Sequence, residues 1–223
     1  MIPQRLRFEA WLAIAFVAIA ALVWAWQHAG ALRGPLTRAE IDRYLAAIDA
    51  QLPWPGEERA ASLQRLRSWA EADDGRPVYM LNLMRYYREL HRFAGAPDFD
   101  GTPREANARY EAATIPLLLK VGGTGQFMGT PQGRNVLDSP AAGDDWSRVL
   151  LVRYPSRRSF LELIADPRYA PTAPLKLMAS QVYLVPLRAD LVLPDVSSAV
   201  SAGLLVIYLA IGWRRAVMRR EFP

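Results

Sequence analysis

Two uninterrupted apolar runs, one near each end, bracket a series of shorter patterned segments. Residues 10–26, AWLAIAFVAIAALVWAW, are 17 apolar residues in a row, the lower limit for a helix that crosses a bilayer. Trp11, Trp24 and Trp26 stand near its ends, where indole rings favour the headgroup interface. Residues 196–213 form the second run, 18 residues long and diluted by Ser197, Ser198 and Ser201. A serine hydroxyl can bond back to its own helix, so the run still reads as a span. Arg214, Arg215, Arg219 and Arg220 follow it closely. A buried core helix does not explain that cluster, whereas a membrane helix does.

Between the runs the first pattern is helical. Ile41, Tyr44, Leu45, Ile48 and Leu52 fall on one face of a helix over residues 37–52. Thr37 and Glu40 have the spacing of a capping box. Pro53-Trp54-Pro55-Gly56 breaks the helix, and a second one over 57–72 presents Leu63, Leu66 and Trp69 before Asp73-Asp74-Gly75 ends it. This hairpin, residues 36–74, reads as a packing element covering the next domain. A spacer, a dimerisation element and a lid are its other uses.

The period then changes to two. Residues 78–85 are a strand. Thr102-Pro103-Arg104-Glu105 opens a helix with a capping box and a proline at its first position. That helix runs to Gly122-Gly123, and Pro116 is expected to kink it or divide it. A strand over 125–130, a polar turn over 131–146 and a strand over 148–154 follow. Ser156 caps a helix that turns Phe160, Leu161 and Ile164 inward and stops at Asp166-Pro167. Residues 181–187 are the last strand. This βαββαβ order over residues 76–190 predicts an α+β fold, a four-stranded antiparallel sheet with both helices on one face, the ferredoxin-like arrangement. The remaining sheet face needs a cover, and a second copy of the chain is the simplest, giving a dimeric α/β barrel. Alternation puts Val78, Met80, Asn82 and Met84 on one side of the first strand, and Tyr79, Leu81 and Leu83 on the other. The wholly apolar Leu81/Leu83 side is assigned to the helices and Asn82 to the barrel interior.

Charge places the domains relative to a membrane. Of the formal +5, residues 1–26 carry +1 and residues 196–223 carry +3, which leaves +1 for everything between. The basic character belongs to the membrane flanks, so a nucleic-acid surface is not expected. The arginines after the second span put both termini in the cytoplasm and the central domain on the far side, the periplasm of a bacterium. Ala29-Gly30-Ala31 could end a cleaved signal peptide, but the first apolar run exceeds the 7–15 residues usual for one, which favours an uncleaved anchor over residues 1–30. The second span and its basic tail occupy residues 194–223.

The chain has no cysteine, which excludes disulfides and thiolate chemistry, and only His28 and His91 as histidines. No metal-ligand spacing, paired carboxylates or nucleophile–base arrangement is legible, and no metal or cofactor is expected. GGTGQFMG lacks the spacing and the lysine of a phosphate loop and follows a helix instead of opening one. The candidate ligand-binding residues are Asn82, Arg85, Tyr110, Phe127, Trp146, Arg153 and Tyr154. A buried amide needs partners, so Asn82 either orients a ligand carbonyl or hydroxyl or bonds to neighbouring backbone. Arg85 and Arg153 either grip a carboxylate or pair at the rim with Asp144 or Asp145. Tyr110, Phe127, Trp146 and Tyr154 either wall a pocket or pack in the core. His91 reads as an exposed loop residue before it reads as a general base.

The segments VYMLNLMRYY, IPLLLKVGGTGQFMG, DDWSRVLLVRYPSRRSFLELIADPRY and QVYLVPL, in that order, resemble the DUF1330 family over about residues 76–187. The resemblance implies membership of the dimeric α/β-barrel superfamily, with subunits pairing through their sheets. Many relatives carry a histidine–arginine pair after the residue corresponding to Tyr169, where this chain reads APTAPLKLMAS. The superfamily includes cofactor-free monooxygenases, haem-degrading enzymes, isomerases and ligand binders, so it does not settle activity. The expectation is therefore a two-span membrane protein, homodimeric, binding a small and partly apolar molecule. A cofactor-free monooxygenase or haem-processing enzyme and a purely structural assembly partner remain the alternatives.

Overall fold

In the computed structural model the two apolar runs become the two longest helices. The structure describes residues 4–51, 56–134, 136, 145–190 and 196–221. Its elements are α1 (Gln4–Gln27), α2 (Ala29–Leu32), α3 (Arg38–Gln51), α4 (Gly56–Glu71), β1 (Val78–Tyr86), α5 (Pro103–Lys120), β2 (Thr124–Gly129), β3 (Arg148–Tyr154), α6 (Arg157–Ile164), α7 (Ala173–Ala179), β4 (Ser180–Leu187) and α8 (Val196–Glu221). They divide into two units, Met1–His28 with Asp190–Pro223, and Ala29–Ala189.

In the first unit, Phe8–Gln27 and Val196–Met218 are long and apolar enough to cross a membrane. α1 and α8 run in opposite senses against each other. Near the start of α1 the Arg215 guanidinium lies 4.4 Å from the Phe8 ring centroid and 3.4 Å from the Glu9 carboxylate. Two turns further along, Phe16 meets Tyr208 edge-on at 6.5 Å between centroids.

The second unit has one core shared by the hairpin and the sheet. Ile41, Leu45 and Ile48 of α3 pack with Met80 of β1 and with Phe160 and Leu161 of α6. Polar groups fasten the same contact. Arg158 of α6, only 2% exposed, donates to Glu40 and to the carbonyl oxygens of Gly34 and Pro35. Glu162 accepts from Arg33 at 2.6 Å and from the Tyr44 hydroxyl at 3.0 Å. α2 lies so close that a Cβ on Gly30 would meet Ser156 Oγ at 2.1 Å. The capping box expected at Thr37 forms, with Glu40 accepting from the Thr37 amide at 2.9 Å. The helix breaker at 53–55 and most of the polar turn, including Asp144, lie outside the described residues.

The sheet has four antiparallel strands in the order β2-β3-β1-β4. α5 opens on the Thr102–Glu105 capping box and continues through Pro116 without division. Tyr110, Thr114 and Leu117 are buried along it, so packing holds the helix across the one backbone bond that proline removes. Gly122, at a φ of 75°, ends it, with the Gly123 amide donating to Leu118 O at 2.9 Å.

The helices cover the opposite sheet face from the one assigned by alternation. Val78, Met80, Asn82 and Met84 are buried, whereas Leu81 and Leu83 are half-buried on the open face. Alternation separates the two sides of a strand but does not say which is covered, and here both sides are largely apolar. Asn82 sits under the helices because its amide is satisfied there. α2 and α7 are also beyond the sequence expectation.

Candidate functional site

A cavity of about 390 Å³ lies between the helices and the covered face of the sheet. Leu118 of α5, Leu150 and Val152 of β3, Leu163 and Ile164 of α6 and Leu184 of β4 give it apolar walls. Ile115, Leu119, Phe127 and Met128 line it and are solvent-exposed, which marks the mouth between α5 and the edge strand β2.

One polar cluster faces this space. Lys176 Nζ donates to Asn82 Oδ1 at 2.7 Å, and Asn82 Nδ2 donates to Met80 O at 3.2 Å. Both ends of the buried amide are therefore engaged, which removes the roughly 1–3 kcal/mol cost of leaving one unpaired. The Lys176 ammonium also stands 5.2 Å from the centroid of the Tyr110 ring, within range of a cation–π attraction. Removal from water pulls the Lys176 pKa down to about 8, against an upward pull from Glu111. Glu111 is taken by Arg148, which reaches its two oxygens at 2.8 and 2.7 Å. Among the described residues no carboxylate stands within ion-pair distance of Lys176.

Tyrosines close the rest of the cluster. The Tyr110 and Tyr169 hydroxyls are 3.4 Å apart, with the rings edge-to-face. Burial raises the pKa values of Tyr110, Tyr154 and Tyr169, so all three stay neutral across the physiological range. A second cavity of about 410 Å³ adjoins the first and reaches α4 at Arg65, Leu66 and Trp69. Phe160, Ile164, Tyr169, Lys176 and Leu184 line both spaces.

Of the residues singled out from the sequence, Asn82, Tyr110, Phe127 and Tyr154 meet at this cavity. Arg85 and Trp146 do not. Arg85 lies beyond the cavity, its guanidinium 5.2 Å from the Trp146 ring centroid and its Nε 2.7 Å from Asp145, the rim pairing that was one of its two readings. Trp146 meets Tyr183 edge-on at 5.3 Å. Arg153 is 2% exposed, opposite Tyr79 in the β1–β3 register and outside the cavity. The His91 ring lies tilted beside that of Tyr87, 5.2 Å between centroids, and does not line the cavity. Lys176 is the site residue that the sequence reading missed. Its signal was a single charge in the apolar run APLKLMA, opened by a proline at the start of α7. Among the described residues no group of His, Cys, Asp or Glu gathers as a metal ion would need.

No family model and no curated protein matches the chain. Among solved structures, the chain is similar to the methylated RPA0582 protein, at 27% identity over 61% of this chain and 93% of that one, with a TM-score of 0.49. It is also similar to RPA0582 from Rhodopseudomonas palustris, described as a protein of unknown function and a structural genomics target. That match has 26% identity over 62% of this chain and 96% of that one, with a TM-score of 0.46.

Proposed function

We propose that the chain is a two-span membrane protein whose central domain binds a small, partly apolar molecule in the cavity between helices and sheet. The observation that carries this reading is the 390 Å³ space itself, apolar-walled with one polar cluster at Asn82 and Lys176. Its size and lining are those of small-molecule sites, about 300–1,000 Å³. A purely structural partner has no use for such a cavity, so the space favours binding over that alternative.

The strand order and antiparallel pairing support a ferredoxin-like domain of DUF1330 type. The antiparallel α1 and α8, with the arginines near the end of α8, support cytoplasmic termini and a periplasmic domain. Two copies would close their open sheet faces on each other, burying Leu81, Leu83, Val149 and Leu151 with the exposed Tyr183 and Val185. Val185→Lys should then yield monomers by native mass spectrometry; retained dimers would remove that contact from the reading.

Gly125 gives the test of the cavity. It lines the space, and a Cβ added there would meet nothing within 4 Å, so Gly125→Trp fills the cavity without a clash at the backbone. The full chain is exchanged gently into lipid nanodiscs and examined by native mass spectrometry. The wild type should retain a small molecule that Gly125→Trp loses while its circular dichroism is unchanged. Equal retention by both proteins would place the ligand elsewhere.

A further inference from the structure

We infer that the ligand is a monoanionic amphipath, a carboxylate on a hydrocarbon body, seated with its head on Lys176 and Asn82 and its chain along the apolar walls. This rests on the cavity reading above and deepens it by naming the chemistry of the ligand.

The argument begins with the missing counter-charge. Charged groups drawn into apolar surroundings are paired as a rule, because an isolated one loses its hydration without compensation. Lys176 is half-buried in the cavity wall, with an amide oxygen at 2.7 Å and an aromatic face at 5.2 Å, both of which favour the ammonium form but neither of which neutralises it. The nearest acid in the lining, Glu111, is closed off by the two-pronged contact from Arg148. A ligand carboxylate supplies what the protein leaves out. A single cation suits one negative charge, and a doubly charged phosphate would lack a second partner in the first cavity. Leu118, Leu150, Val152, Leu163 and Ile164 then need an apolar body to cover them. The adjoining space of about 410 Å³ begins at Lys176 and Tyr169 and gives a longer chain a second direction to follow.

The same geometry sets a pH dependence. Among the described residues, the titratable and charged groups around Lys176 are Tyr110 and Glu111 on α5, Tyr154 and Arg148 on β3, Tyr169 ahead of α7, and Arg65 of α4 in the second cavity. The tyrosines stay protonated, and Arg148 occupies both oxygens of Glu111. Lys176 loses its proton as pH rises through about 8. A ligand carboxylate is ionised above about pH 5. Preference for the acid should therefore be full near neutrality and fall away on the alkaline side.

The full chain in phosphatidylcholine nanodiscs is titrated with decanoate and with decanol, each labelled with ¹³C at C1, and empty nanodiscs give the partition background. Both should bind saturably near neutrality, decanoate about tenfold tighter or more, as expected for a charge-assisted contact. That preference should vanish at a pH of about 9.5 and in Lys176→Met, and persist in Lys176→Arg, which keeps the charge. Equal binding of the two probes by the wild type would overturn the anionic ligand and leave the cavity reading standing. Saturable binding of neither would overturn both. A preference that survives in Lys176→Met would assign the anion to another group and likewise refute the inference.

Discussion

The contact that joins α6 to the start of α3 can be tested by one substitution, Glu40→Gln. Glutamine preserves the capping box, since an amide oxygen at this position still accepts from the Thr37 backbone. What it removes is the negative charge facing Arg158, which is left 2% exposed with only the carbonyl oxygens of Gly34 and Pro35 as acceptors. The size of the effect can be worked from two sides. The Glu40 pKa falls from 4.5 to about 2, chiefly through the Thr37 backbone bond and then through Arg158. At about 1.4 kcal/mol per unit the whole shift represents about 3 kcal/mol, of which Arg158 holds a part. Removing one partner of a buried pair costs about 3–5 kcal/mol, lowered here because Glu40 keeps 22% side-chain exposure. An opening of α3 easier by about 2–3 kcal/mol follows.

Hydrogen exchange of α3 peptides, read by mass spectrometry on the full chain in nanodiscs, gives that opening energy. Arg158→Ala should act similarly, and the double variant should cost less than the sum of the two. The sign of the pH effect is also set. A carboxylate whose folded pKa lies below its unfolded value stabilises the fold above about pH 4.5, and that contribution is lost as pH falls towards about 2. Wild-type exchange in Glu40→Gln, or strict additivity in the double variant, would refute the idea that this pair holds the hairpin down.

Gly30→Ala should lower thermal stability by about 1–3 kcal/mol, because the new methyl would overlap the buried Ser156; an unchanged melting temperature would mean that α2 does not dock as described. Thr102→Ala removes one half of the α5 capping box and should cost about 1 kcal/mol in urea titration, whereas no change would mean that the cap is not formed in solution. The chain contains no cysteine, so Phe16→Cys combined with Tyr208→Cys can be joined on a clean background by a bis-thiol reagent spanning about 8–10 Å, the usual separation of packed helices. An intramolecular crosslink in membranes is expected because the two rings meet edge-on at 6.5 Å, and exclusive crosslinks between separate chains would contradict the α1–α8 pairing.

Periodicity carried most of the fold. The 3.6-residue pattern of Ile41, Tyr44, Leu45 and Ile48 marked α3, and those same residues are the ones it buries. Ser156 and Thr102 marked two helix starts and both serve as caps. The failures have physical causes. The sequence reading assigns no element between Asp166-Pro167 and the last strand, although Pro174 stands in the first turn of α7, where a missing amide costs nothing. With α7 unseen, Lys176 had no place, and its bond to Asn82 spans 94 positions of sequence. No local pattern reports a pairing at that distance. Asn82 itself was legible as the odd polar residue in an apolar strand, but the side it faced depended on the helix that supplied its partner.

The joining of α3 to α6 also bears on how the chain is made. Glu40 waits for a partner 118 positions further along, and Arg33 for one 129 positions further. At about 5–20 residues per second of synthesis, the greasy side of α3 stays uncovered for about 6–24 s after it leaves the ribosome. During that time the hairpin is made but lacks the α6 surface that it packs against, and such a newborn segment is a natural client for a holding chaperone until α6 arrives.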